Sequence, residues 1–212
     1  MNNDEYYSAI VQYINSLKLL RKEGVQLSAA VIGESLFKED LYFLAAINRC
    51  LDLIDGFIEL IKNRNLTCAG ALLRLQMDNC MRAYAVFIAE DKDKVVNCII
   101  SGERIDNLID NTGKKLKDGY LKKQLNTLDH RFQQVYDQAS GYIHLSTKAF
   151  YQTIVSTEDN TIETQIGHKL PDRYNETLVE GIQAFVHFTK LFYKIIEAVA
   201  DSKERYDRNQ KC

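Results

Sequence analysis

One proline, Pro171, occurs in 212 residues, together with only ten glycines. Proline is the costliest residue in a helix interior, and glycine is the next worst. A chain so poor in both can run long helices, and it lacks the turn residues that sandwiches and barrels of many short strands require. Hydrophobic residues make up 46% and charged residues 26%, the composition of a soluble globular protein rather than a disordered one. The net charge is −2, from 27 Lys and Arg against 29 Asp and Glu, so no global field draws in nucleic acid or an anionic surface. The expected fold class is all-α: a single-domain bundle of five to seven helices over residues 1–205, with 206–212 fraying.

The pattern along the chain supports this. Residues 4–23 carry apolar positions at helical spacing (Tyr6, Ile10, Leu17, Leu20), with Gly24 as a natural stop. Residues 25–36 read as a short helix or an ordered loop. A second helix is expected over 38–63, with Leu41, Leu44, Ile47, Leu51, Ile54 and Ile58 as its stripe. A third, about 66–90, is apolar around most of its circumference, as suits a helix at the centre of a bundle. A short helix follows between Asp91 and Gly102, then a turn or two over 103–111 closing at Gly113. A long helix is expected over 118–139, either continuing to Phe150 or breaking at Ser140-Gly141. Residues 151–167 are rich in β-branched side chains around Ser156–Asn160, which predicts a small β-hairpin or an extended excursion. Pro171, with Asp172 as a cap, then turns the chain into a last helix over 172–205.

Five cysteines (Cys50, Cys68, Cys80, Cys98, Cys212) form no C-x-x-C pair, and four lie in apolar helical stretches. Reduced thiols and a cytoplasmic setting are the expectation. No secretory leader and no run of about 18 apolar residues is visible. Phosphate-binding glycine loops, nucleophile elbows and zinc spacings are absent, and none of the four histidines follows a glutamate by three residues. Neither a metal nor another cofactor is expected.

Three groups of polar residues stand out. Arg74, Asp78 and Arg82 occupy successive i,i+4 positions on the third helix, either as a structural ion-pair ladder or as one wall of a pocket. Ser140 and His144 share a face if their helix continues, with Tyr136 one turn before. His144 is then a candidate acid/base and Arg74 its anion clamp, or His144 is a histidine tied into the core. Asp129-His130-Arg131 reads as a solvated helix face, with Arg131 a second candidate anion contact. Lys114, Lys115, Lys117, Lys122 and Lys123 form a basic cluster diluted by Asp110 and Asp118, a weak nucleic-acid site. Phe185, Phe188, Phe192 and Tyr193 mark core or a helix–helix interface, with His187 off its centre and exposed. The length of this last helix and its aromatic residues are compatible with a homodimer.

The set Ala71-Leu72-Leu73-Arg74-Leu75-Gln76-Met77-Asp78 followed by Tyr136-x-x-x-Ser140-x-x-x-His144-x-Ser146 resembles uncharacterised bacterial all-helical proteins. These carry an arginine and an acid one turn apart on one helix and a Ser-x-x-x-His on a later one. The resemblance implies a bundle in which Arg74, Asp78, Ser140 and His144 converge; it implies no activity. Those proteins are in turn remotely similar to HEPN-type helical domains, some of which are metal-independent ribonucleases. The ribonuclease members place a histidine four to six residues after an arginine on one helix, a spacing this chain lacks. The expected function is therefore interaction with a protein or ligand, in a bacterial regulatory or defence setting. The alternative is a metal-independent enzyme on RNA or a phosphoester, using His144 with Arg74 or Arg131.

Overall fold

A computed structural model describes residues 1–144, 151–158, 161–167 and 170–210. Among them are seven α-helices: α1 (Asn3–Ile32), α2 (Lys38–Lys62), α3 (Leu66–Ile88), α4 (Lys92–Ile100), α5 (Asp118–Leu128), α6 (Phe132–Ile143) and α7 (Asn175–Gln210). Two short strands, β1 (Ile154–Glu158) and β2 (Thr161–Thr164), pair antiparallel within the 151–167 excursion. A single 3-10 turn, Asp172–Tyr174, follows Pro171.

Four long helices form a ring in which α1 packs on α2, α2 on α3, α3 on α7 and α7 on α1. α6 then covers a further face of α3, and α5 rests on both α3 and α6. This explains why α3 is apolar nearly all round: Ala69, Leu73, Met77, Cys80, Ala83 and Val86 all lie in the core, facing different neighbours. Aromatic pairs lock the layers. Phe57 of α2 stacks on Phe185 of α7 with ring centroids 3.9 Å apart, and Phe132 of α6 meets Phe188 of α7 edge to face at 5.5 Å. Each such ring contributes about 2–3 kcal/mol by burial.

Three helix starts are fixed by side-chain capping. Asn2 and Glu5 form a reciprocal capping box on α1; Asn65 accepts from Cys68 N–H at 3.1 Å, and Asp91 from Lys94 N–H at 2.9 Å. Pro171 is held from a distance. Arg64 donates to the carbonyls of Leu170 (2.7 Å) and Pro171 (2.9 Å), tying the α2–α3 corner to the entry of α7.

Several boundaries differ from the sequence reading. Gly24 does not stop α1, which runs on to Ile32 and ends at Gly33, whose φ of +57° suits glycine. On α2 the expected Ile47, Ile54 and Ile58 are buried, but the stripe is completed by Phe43, Cys50, Phe57 and Ile61, and Leu41 is 54% exposed; the face is set by where α1 and α3 lie. The segment after α4 is not helical. Isolated bridges join Ala89 to Asp110 and Ile109 to Lys115, and Asp110 organises the loop. The long helix expected over 118–139 is two helices, broken at Asp129–Arg131. α7 continues to Gln210, past the expected fraying point, because Tyr206 packs on Phe37 and Asp207 accepts from Glu34 N–H at 3.0 Å.

Asp110 accepts from Thr112 N–H, the Thr112 hydroxyl, Lys114 N–H and the Tyr120 hydroxyl. Burial alone would raise its pKa, but the Tyr120, Lys114 and Thr112 donors outweigh it and hold the carboxyl down at about 2. A group whose folded pKa lies below its unfolded one stabilises above the unfolded value and loses that stability as pH falls through the folded value. The melting-temperature gap between the wild type and Asp110→Asn will therefore stay level from pH 7 to about pH 5 and narrow between about pH 4 and 2. Thermal unfolding by circular dichroism across that range checks it, and a gap that does not depend on pH contradicts it.

Candidate functional site

The i,i+4 spacing on α3 puts Arg74 and Asp78 on the face that α6 covers, and the matching spacing on α6 presents Tyr136 and Ser140 to them. Arg74 Nε donates to Ser140 Oγ at 3.2 Å, Nη2 donates to the Tyr136 hydroxyl, and Nη1 forms an ion pair with Asp78. The guanidinium lies over the Tyr136 ring, 3.5 Å from its centroid. Ser140 Oγ in turn donates to the Tyr136 carbonyl at 2.8 Å. Burial, with the Asp78 carboxylate beside it, pushes the Tyr136 hydroxyl up to about 12, so it stays protonated. All three Arg74 nitrogens face protein acceptors, and an incoming anion would compete with Asp78 for them.

Three of the candidates thus meet: Arg74, Asp78 and Ser140. Arg82 turns away and pairs with Asp118 of α5 at 2.8 Å. His144 sits just past the end of α6, exposed, and no hydrogen bond among the described residues joins it to Arg74, Asp78 or Ser140. Ser146 lies outside the described residues.

A second constellation forms at the α5–α6 break. Asp129 Oδ1 accepts from Arg131 N–H at 3.1 Å, and Asn126 Oδ1 accepts from Gln133 N–H at 3.0 Å, so side chains close the turn that the backbone ladder leaves open. Asp129 Oδ2 meets His187 Nε2 of α7, and Arg131 Nη2 lies 3.0 Å from both ring nitrogens, a position over the imidazole rather than in line with one lone pair. Burial works against the Asp129 charge, but the Arg131 N–H, His187 and the Arg131 guanidinium outweigh it and hold the carboxyl below its ordinary range. Asp129 is therefore not a solvated helix-face residue, and His187 is not free on the surface: their side chains are 13% and 32% exposed.

This pair stands at the edge of a groove of about 520 Å³ between the end of α3, the end of α5 and the middle of α7. Tyr84, Phe87, Leu128, Leu191, Ile195 and Ala198 supply apolar walls, and Lys190 and Lys194 supply charge. A second cavity, about 380 Å³, opens between α2, α3, α6 and α7 where Ala69, Gly70, Ala139, Gly181 and Ala184 leave room, with Gln134, Gln138 and Glu180 at its edge. Both volumes fall in the range of small-molecule sites. The α7 groove was readable in principle: His187, Lys190, Leu191, Lys194, Ile195 and Ala198 follow a three-and-four spacing along one helix.

Among the described residues, no three His, Cys, Asp or Glu side chains gather as a metal site, no cysteine is in a disulfide, and no helix is long and apolar enough to cross a membrane. The aromatic residues of α7 that suggested a homodimer, Phe185, Phe188, Phe192 and Tyr193, are buried in the chain's own core. Compared with protein-family models, curated proteins and solved structures, the chain matches none.

Proposed function

We propose that this protein acts by binding, and that its ligand is a small molecule with a large apolar body seated in the groove between α3, the end of α5 and α7. The observation that carries this reading is the groove itself. It is concave and of ligand size, with apolar walls and a few polar groups set at one edge. The Arg74–Asp78–Tyr136–Ser140 cluster fits a structural part, fixing α6 on α3.

The test uses Nile red, a neutral apolar fluorophore. The wild type is expected to bind it saturably. Ala198→Phe, which fills the α7 groove, will weaken binding at least fivefold. Gly181→Leu, which projects into the other cavity from a position where a Cβ meets nothing within 4 Å, will leave it unchanged. The reverse pattern assigns the site to the other cavity and overturns this one.

One observation favours the enzymatic alternative. His187, oriented by Asp129 and lying beside Arg131, is the kind of imidazole–arginine pairing that a metal-independent phosphoester reaction asks for, supplied by different elements rather than by His144. RNA or phosphodiester turnover lost in His187→Ala would establish that reading; turnover lost in His144→Ala alone would return it to the end of α6.

A further inference from the structure

We infer that the occupant of the α7 groove is an amphipathic anion: a carboxylate or phosphate head on a single apolar tail. This rests on the binding reading above and adds the chemistry of the ligand. The groove is electrostatically one-sided. Along α7 the face that lines it runs His187, Lys190, Leu191, Lys194, Ile195, Ala198, so two ammonium groups stand directly beside the apolar wall. Neither lysine forms an ion pair or hydrogen bond among the described residues, whereas many basic side chains of this chain are matched: Arg21 with Asp55, Arg82 with Asp118, Lys122 with Asp137, Lys203 with Asp40.

Asp129, the one carboxylate that lines it, is held by Arg131 and His187. Asp110 interacts with Tyr84, but three donors from its own loop and the Tyr120 hydroxyl of α5 hold its carboxylate. Glu197 lies three residues beyond Lys194 and does not line the groove. His187 apart, Lys190, Lys194 and Arg131 against Asp129 leave two positive charges at the edge of an apolar wall. An anion there gains Coulomb attraction without displacing a protein partner, which is the contrast with Arg74. A cation of the same shape would meet both ammonium groups.

Three ligands with one tail and different heads test this: decyl phosphate, decanol and decyltrimethylammonium, each kept below its micelle concentration and titrated against bound Nile red. The expected order is decyl phosphate tightest by about tenfold or more over decanol, with decyltrimethylammonium weakest. Lys190→Gln and Lys194→Gln should each weaken decyl phosphate about fivefold and leave decanol unchanged, as the loss of one exposed charge pair predicts. Both lysines are exposed on a helix surface, and glutamine is a comparable helix former, so melting temperatures should stay within a degree or two. Decanol binding as well as decyl phosphate, with no effect of either lysine, leaves the groove as a binding site but overturns the anionic ligand. If Nile red binds but none of the three displaces it, the amphipathic anion is overturned while the binding reading stands; if Nile red itself does not bind, the binding reading fails. Sedimentation with phosphatidylglycerol vesicles separates a free amphiphile from a bilayer headgroup: a protein that pellets with vesicles yet ignores monomeric decyl phosphate overturns the inference.

Discussion

Lys203→Met will destabilise the fold by about 3–5 kcal/mol, and adding Asp40→Asn will restore most of that loss. Lys203 of α7 and Asp40 of α2 are ion-paired at 6% and 2% exposure. Asp40 Oδ2 also accepts from Phe37 N–H at 2.8 Å, and the Lys203 ammonium lies 4.1 Å from the Phe37 ring centroid. Removing the lysine alone leaves a buried carboxylate with one backbone donor. Removing both charges leaves asparagine, whose side-chain oxygen still caps Phe37 N–H. The single change is large against the 5–15 kcal/mol of a whole domain. Urea unfolding of the three variants and the wild type, read as midpoint shifts, decides it. A double variant no better than Lys203→Met would mean that the pair is not acting as a unit.

The same corner shows why the end of the chain was hard to read. Arg205 to Gln210 is polar, and polarity at a terminus usually means fraying. What orders it is distant: Phe37 under Tyr206, and Glu34 N–H on Asp207. The α5–α6 break has the same character. Thr127-Leu128-Asp129-His130-Arg131 contains neither proline nor glycine, so nothing local announces a stop. The stop is made by Asp129 capping its own turn while meeting His187, 58 residues away. Without that partner Asp129 looks like any acid on a wet helix face. By contrast, the shared face of Arg74 and Asp78 was legible, because i,i+4 spacing is a local property that survives packing, whereas the meeting with Ser140 on another helix was only what the resemblance implied. The place of His144 was legible only conditionally, since sharing a face with Ser140 required α6 to continue past Ile143, where it ends.

Gly24→Ala will destabilise by about 1–3 kcal/mol, although glycine to alanine inside an exposed helix normally stabilises by about 1 kcal/mol. A Cβ built on Gly24 would lie 2.4 Å from the Tyr193 hydroxyl and 2.9 Å from Leu51 Cδ2. Tyr193 has little freedom to yield. Its ring is buried, and its hydroxyl donates to the Leu20 carbonyl at 2.7 Å, one turn before the glycine on the same helix. This is why α1 passes through Gly24 without stopping: the residue is small so that α7 can approach, and the helix pays a modest propensity cost for the contact. The nearest obstruction is a single oxygen, so the effect can be isolated. In a Tyr193→Phe background, which removes that oxygen along with one hydrogen bond, Gly24→Ala should cost at least 1 kcal/mol less than in the wild type. Strictly additive losses in the double-mutant cycle would place the strain on Leu51 or on the ring carbon at 3.0 Å, and would remove the Tyr193 hydroxyl as the reason for glycine at this position.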